Sequence, residues 1–251
     1  MTAIQQQYEP RIARARDMVA SAPIITKLLD PNVDARTLER FLIEYCSLGV
    51  QITEPVEGWI ARAGERCREV GLGEIGTALI QHARHEADHH LMFIEDTRKL
   101  AARWNSRNAP PLDADALIAR PATRAMKHYV ELHEETIASQ TPYGQVAIEL
   151  EIERLSVVVL PDLLAQLGRV LGREVLESLS FLGEHAALDV GHTHLNTRMM
   201  DSVLRERPES AADLARIGAE ALFIYMAIFE ECWQLAQSAC TSMRHTSTVA
   251  G

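Results

Sequence analysis

The sequence predicts an all-α protein, a single domain built as a seven-helix bundle. Three observations lead there. Apolar residues recur at helical spacing along nearly the whole chain, and no stretch keeps the strict alternation of a half-buried strand. Pro, Gly and polar clusters cut this pattern into pieces of helix length. Only one long irregular stretch occurs, at about 105–121, and it reads as a surface connection within one core rather than a domain boundary. At 251 residues the chain can bury such a core.

Taken in order, the first segment spans 5–29 and stops at "DPNVD". Asp34 is placed to cap the second, 35–65, because its carboxylate can accept from the free N–H groups of a first turn. The third segment, 72–104, follows "GLG" and ends at "NSRNAPPLDAD". A fourth, 122–139, ends at "SQTPYG"; a fifth, 143–168, ends at "LG". The sixth is 172–204, closed by "RERPES", after which Ser210 is placed to cap the seventh, 210–243.

The net charge is −10, with acidic and basic residues interleaved. The charge pattern argues against nucleic acid as a partner, because phosphate binding needs clustered Lys and Arg. The first residues lack the apolar stretch of a signal peptide, and no apolar run reaches the length of a membrane span. Cys46, Cys67, Cys232 and Cys240 form no C-x-x-C pair and read as small core hydrophobes. A cytoplasmic protein with a small-molecule partner is expected.

Seven of the ten histidines fall in two windows, 82–90 and 185–194. With about 100° of turn per residue, His82, Glu86 and His89 share one helix face. Ile75, Leu79, Phe93 and Leu100 continue that face. Asp88 points away. In the second window His185, Asp189 and His192 share a face with Phe181, Leu182, Leu188, Met199 and Val203. The fifth segment places Glu153 at the centre of a stripe formed by Val146, Leu150, Val157, Leu160 and Leu164. Glu149 lies near its edge, and Glu151 faces the opposite side. A carboxylate in such a stripe costs several kcal/mol unless compensated, and a metal cation compensates several such groups at once.

Glu86, Glu153 and Asp189 supply oxygen; His89, His185 and His192 supply nitrogen. Six mixed ligands are too many for one tetrahedral zinc and too nitrogen-rich for calcium or magnesium. Two first-row ions fit, with iron or manganese expected and zinc second. The "HEADH" of residues 85–89 matches the H-E-x-x-H zinc-protease pattern. Its extended form fails, with Met92 where Gly belongs and Glu95 where the last His belongs. The bundle also offers no strand to hold a peptide.

Glu86-x-x-His89, the core Glu153 eight residues before Pro161, and "HAALDVGH" together resemble the haem-oxygenase-like diiron oxidases. This superfamily also holds haem oxygenase, thiaminase II and pyrroloquinoline quinone synthase, and the resemblance spans nearly the whole chain in helix number and order. It implies a seven-helix haem-oxygenase-like fold with metal ligands at His185, Asp189, His192, Glu153 and His89. Some members carry a further Glu seven residues before the histidine at 89, where His82 stands here. Others use the Glu three before it, here Glu86, with a further second-helix Glu, here Glu54 or Glu57, so His82 and Glu54 are added candidate metal residues. It further implies two iron ions, dioxygen as cosubstrate, and oxidation of a small organic metabolite by N-oxygenation, decarboxylation or C–C cleavage. Glu44, Tyr45, Phe229, Glu230 and Trp233 are the implied substrate contacts, and a homodimer is the implied assembly.

Two alternatives stand beside this. One is a cofactorless oxidase resembling pyrroloquinoline quinone synthase; the other is a non-catalytic metal- or ligand-binding bundle. Thiaminase activity is disfavoured. "FEECW" resembles that enzyme's segment with its catalytic Glu, here Glu230, but its nucleophilic Cys belongs on the fifth helix, and 143–168 contains none.

Overall fold

Each predicted segment is helical, but the first three each divide into shorter helices, before Pro23, at Pro55 and at residues 84–88. Eleven α-helices result among the described residues of this computed structural model, which are 1–249, with side chains to Ser242. No strand occurs among them.

The first segment becomes a π-helical turn (Ile4–Tyr8), α1 (Glu9–Ala20) and α2 (Pro23–Leu29). Pro23 opens α2 because its missing N–H would have been unpaired there anyway. The second becomes α3 (Ala35–Thr53) and α4 (Val56–Glu69), divided at Pro55. Asp34 caps α3 as expected, accepting from the Thr37 N–H at 2.9 Å. The third becomes α5 (Gly73–Ala83) and α6 (His89–Asn105). Between them Asp88 adopts φ 64°, a left-handed conformation that Asp and Asn tolerate better than most side chains.

The long connection holds a short helix, α7 (Ala114–Ile118), capped by Asp113. Then come α8 (Arg124–Ala138), α9 (Gln145–Leu171), α10 (Ser180–Glu206) and α11 (Ala211–Val249). Helix α9 runs through Pro161 and past the predicted end at 168, stopping at Gly172, whose φ of 91° few other residues would adopt. Ser210 does not act as the expected cap; its hydroxyl meets the Tyr143 hydroxyl at 2.8 Å.

Helix α9 packs along α10 and α11, while α3 packs against α6 and α11. As a central helix, α3 is buried on nearly every face. Its buried charges are paired: Glu39 with Arg103 and Arg107, and Glu44 with Arg40 and Arg120. Helices α4 and α5 cross with backbones nearly touching, since a Cβ on Gly76 would collide with the Gly64 carbonyl oxygen. Glu151 faces away from the predicted site, as expected, but is not exposed there. Arg16 of α1 pairs with it at 2.6 Å, and the Tyr8 hydroxyl donates to it at 2.9 Å. The four cysteines are free and buried. No helix is long and apolar enough to cross a membrane.

Candidate metal centre

The predicted third-segment face does not exist as one helix. His82 ends the last full turn of α5, Glu86 sits in the turn between helices, and His89 opens α6. The three still converge, because the break folds Glu86 back toward both histidines. His89 Nδ1 lies 2.9 Å from Glu86, and His82 Nε2 lies 3.9 Å from it. His82 is fully buried and belongs to the cluster.

Helix α9 brings Glu153 within 3.1 Å of His82. Helix α10 brings His192 Nδ1 to 3.2 Å from Glu86, 3.7 Å from Glu153 and 3.7 Å from Asp189. Two groups of converging donor atoms emerge, each within 4.8 Å: His82, Glu86, Glu153 and His192; and Glu86, His89 and His185. Glu86 belongs to both. Asp189, 1 % exposed, adjoins His192.

The side chains around these donors fix their direction. His185 Nδ1–H donates to the Phe181 carbonyl at 2.8 Å, which leaves Nε2 free to face the cluster. Its ring stacks on Phe181 at 3.9 Å, and Phe181 stacks on Phe93 at 3.7 Å. Asn196 donates to Glu153 Oε2 at 2.6 Å, so Oε1 turns inward. Asp96 of α6 is buried and caps α10, accepting from the Ser180 and Phe181 N–H groups, each at 2.9 Å. That clamp sets the α6–α10 spacing and hence the 4.9 Å separation of the His89 and His185 rings.

A cation fits this donor set on local evidence. Both nitrogens of His82, Nδ1 of His89 and His192, Glu153 Oε1 and Asp189 Oδ1 are buried without a hydrogen bond. Their close approaches miss hydrogen-bond geometry, as expected for atoms aimed at a common point rather than at one another. Buried polar atoms left so cost roughly 1–3 kcal/mol each, and a cation removes that cost.

The electrostatics agree. Burial pushes Asp189 up to about 7 and Glu149 up to about 8, and it raises Glu153 well above its usual value. Burial also works against charge on Glu86, but the His192 and His89 imidazoles beside it outweigh that cost and hold its carboxyl well below the usual range. Burial lowers His82, and His185 falls to about 4, so both imidazoles are neutral and ligand-competent near pH 7. His192 is raised, chiefly by the Glu86 carboxylate 3.2 Å away.

Several expectations need correction. Glu54 and Glu57 are exposed and lie outside both donor groups. Leu188 is exposed rather than part of the α10 apolar face. A cavity of about 80 Å³ adjoins the cluster. Of the five expected substrate contacts, Tyr45 and Phe229 line it. Glu44 is tied up with Arg40 and Arg120, Glu230 pairs with Lys27, and Trp233 packs on Phe41; none lines the cavity. Tyr129 and Tyr225, which sequence reasoning missed, do line it. Asn196 was in principle legible, four residues beyond His192 on the same α10 face. Asp96 carried no signal, since its partners lie 84 and 85 residues away.

No protein-family model and no curated protein matches the chain. Solved structures do resemble it. One is a domain of unknown function with a haem oxygenase-like fold from Shewanella denitrificans OS217, with TM-score 0.71, 16% identity and 91% of each chain covered. Another is a TenA homolog from Pseudomonas syringae pv. tomato str. DC3000, with TM-score 0.67, 15% identity and 93% of each chain covered. At these identities the likeness establishes the fold, which is haem-oxygenase-like.

Proposed function

We propose that this haem-oxygenase-like chain is a non-haem diiron oxidoreductase that uses dioxygen to oxidise a small organic molecule held in the adjoining cavity. The observation that carries the reading is the sharing of Glu86 by two converging donor groups whose other buried atoms lack partners. A carboxylate common to two ligand sets suits a bridging role between two ions.

His82, Glu153 and His192 would hold one ion, and His89 and His185 the other. Glu86 would serve both, and Asp189 would complete the set beside His192. The four imidazoles and three carboxylates form a mixed N/O environment that favours iron or manganese over magnesium or calcium. When bound, two ferrous ions supply electrons for reducing dioxygen, chemistry no side chain here provides.

The protein's own contribution is positioning. Asn196 orients Glu153, the Phe181 carbonyl fixes the His185 tautomer, and the Asp96 clamp on α10 fixes the distance between the histidine pairs. Tyr45, Phe181 and Phe229 give the cavity apolar walls that limit water around the reacting molecule. Glu149, with its raised pKa of about 8, is a buried group able to hold or release a proton near neutral pH. Thiamine hydrolysis is disfavoured because none of the side chains lining the cavity is a cysteine.

The test is metal content and oxygen use together. Protein purified without chelator, or loaded anaerobically with ferrous ion, should hold near two irons per chain. His192→Ala should hold markedly less. Oxygen uptake with candidate substrates should then require iron. Uptake by metal-stripped protein would favour the cofactorless oxidase, and iron binding with no uptake for any substrate would favour a binding protein. Failure to take up any first-row ion would refute the proposal.

A further inference from the structure

We propose that the cavity beside the metal centre recognises a small organic cation, an alkylamine or quaternary ammonium, through Glu149 and a wall of aromatic rings. This deepens the preceding reading and rests on it in taking the cavity as the substrate chamber.

Four rings form a continuous wall. Tyr129 and Tyr225 lie 5.9 Å apart between centroids, Tyr225 and Phe229 5.4 Å, and Phe229 and Tyr45 5.1 Å. The Tyr45 and Tyr225 hydroxyls meet at 2.9 Å, so these two hydroxyls satisfy each other. The rings meet one another at 60–89°, so such a wall carries faces as well as edges, and ring faces attract cations.

Glu149 stands in the same cavity and belongs to neither donor group. It is 8 % exposed and fixed from behind: Gln145 Nε2 donates to it at 2.5 Å, and Gln145 is 2.9 Å from His133 Nδ1. The His133 ring is stacked on Trp59 at 4.0 Å. The carboxylate is thus held by a rigid chain, and among the described residues no Lys or Arg lines the cavity to answer it. A buried carboxylate facing a ligand chamber without a basic partner is poised for a cationic one. An anionic substrate would meet no protein cation there, and only the metal ions would attract it.

The experiment is calorimetric titration of the iron-loaded protein, kept anaerobic at constant ionic strength and at pH 8.5, where Glu149, raised by burial to about 8, is largely ionised. The probes are n-butylammonium, 1-butanol and n-butyrate. Metal content is counted on the same samples. The expected result is butylammonium binding at least about ten-fold tighter than butanol, with no saturable butyrate binding. Glu149→Gln should remove most of that preference while leaving iron content unchanged, and Tyr129→Leu, which spares the carboxylate, should weaken butylammonium alone. Butanol or butyrate binding as tightly as butylammonium would overturn the inference, as would no saturation by any probe. Loss of iron in Glu149→Gln would overturn it too, by making Glu149 a ligand. An ammonium preference in a protein that takes up no iron would uphold the cation site and sink the metal reading, so the two failures are distinguishable.

Discussion

Stripping metal from the protein and raising the pH should destabilise it, in a window set by its buried carboxyls. Burial lifts Asp189 from 3.8 to about 7 and Glu149 from 4.5 to about 8, and Glu153 moves the same way. Between pH 6.5 and 8.5 the folded chain therefore retains protons that the unfolded chain has released. Stability must fall as pH rises wherever the native state binds more protons. His192, raised by Glu86, adds to the loss, because its contribution disappears as pH climbs through its folded value. His82 and His185, pushed down, lose stability only below their unfolded value near 6.5. Glu86, held low, stays ionised throughout this window and contributes no slope.

At 1.36 kcal/mol per pH unit for a full proton, Glu149 accounts for about 2 kcal/mol across the window and Asp189 for about 1 kcal/mol. For a domain of this size, a combined loss of about 3 kcal/mol corresponds to a melting point lower by roughly 6–12 °C. Chelator-stripped protein melted by circular dichroism at pH 6.5, 7.5 and 8.5, at fixed ionic strength, measures this directly. Ferrous- or manganous-loaded protein should show no such fall, since a bound cation keeps the carboxylates ionised and binds more tightly as protons leave. A stripped protein whose melting point stays level or rises from pH 6.5 to 8.5 would refute the assignment of buried, cation-seeking carboxyls.

Other outcomes follow from the same geometry. Glu86→Gln should bring bound metal from near two ions per chain toward none, whereas Glu54→Gln, at an exposed position, should leave it unchanged by elemental analysis. Asn196→Leu frees Glu153 from its orienting hydrogen bond and should weaken metal affinity by roughly 10–100-fold in a chelator competition. Asp96→Ala removes three hydrogen bonds at the start of α10 and should cost about 2 kcal/mol by urea denaturation. Gly76→Ala forces α5 away from α4; a loss of about 1–3 kcal/mol is expected, with metal affinity falling because α5 carries His82.

Helix content, single-core organisation and most of the donor set were legible in the sequence because each depends on local periodicity. On α10, His185, Asp189 and His192 recur every three to four residues, so one unbroken helix carries all three inward. Glu153 was legible for the same reason, as a carboxylate in an aliphatic stripe. The first window succeeded on different grounds from those expected. His82, Glu86 and His89 meet because the helix breaks at residues 84–88, not because it continues.

Only the tertiary structure decided the rest. It left Glu54 and Glu57 exposed, and put Tyr129 and Tyr225 around the cavity in place of Glu44, Glu230 and Trp233. It also supplied the Asp96 clamp, whose partners lie more than eighty residues away. A sequence fixes which face of its own helix a side chain occupies. Which other helix covers that face, and which charged group meets it there, depends on crossing angles and close backbone contacts that only the packed chain defines.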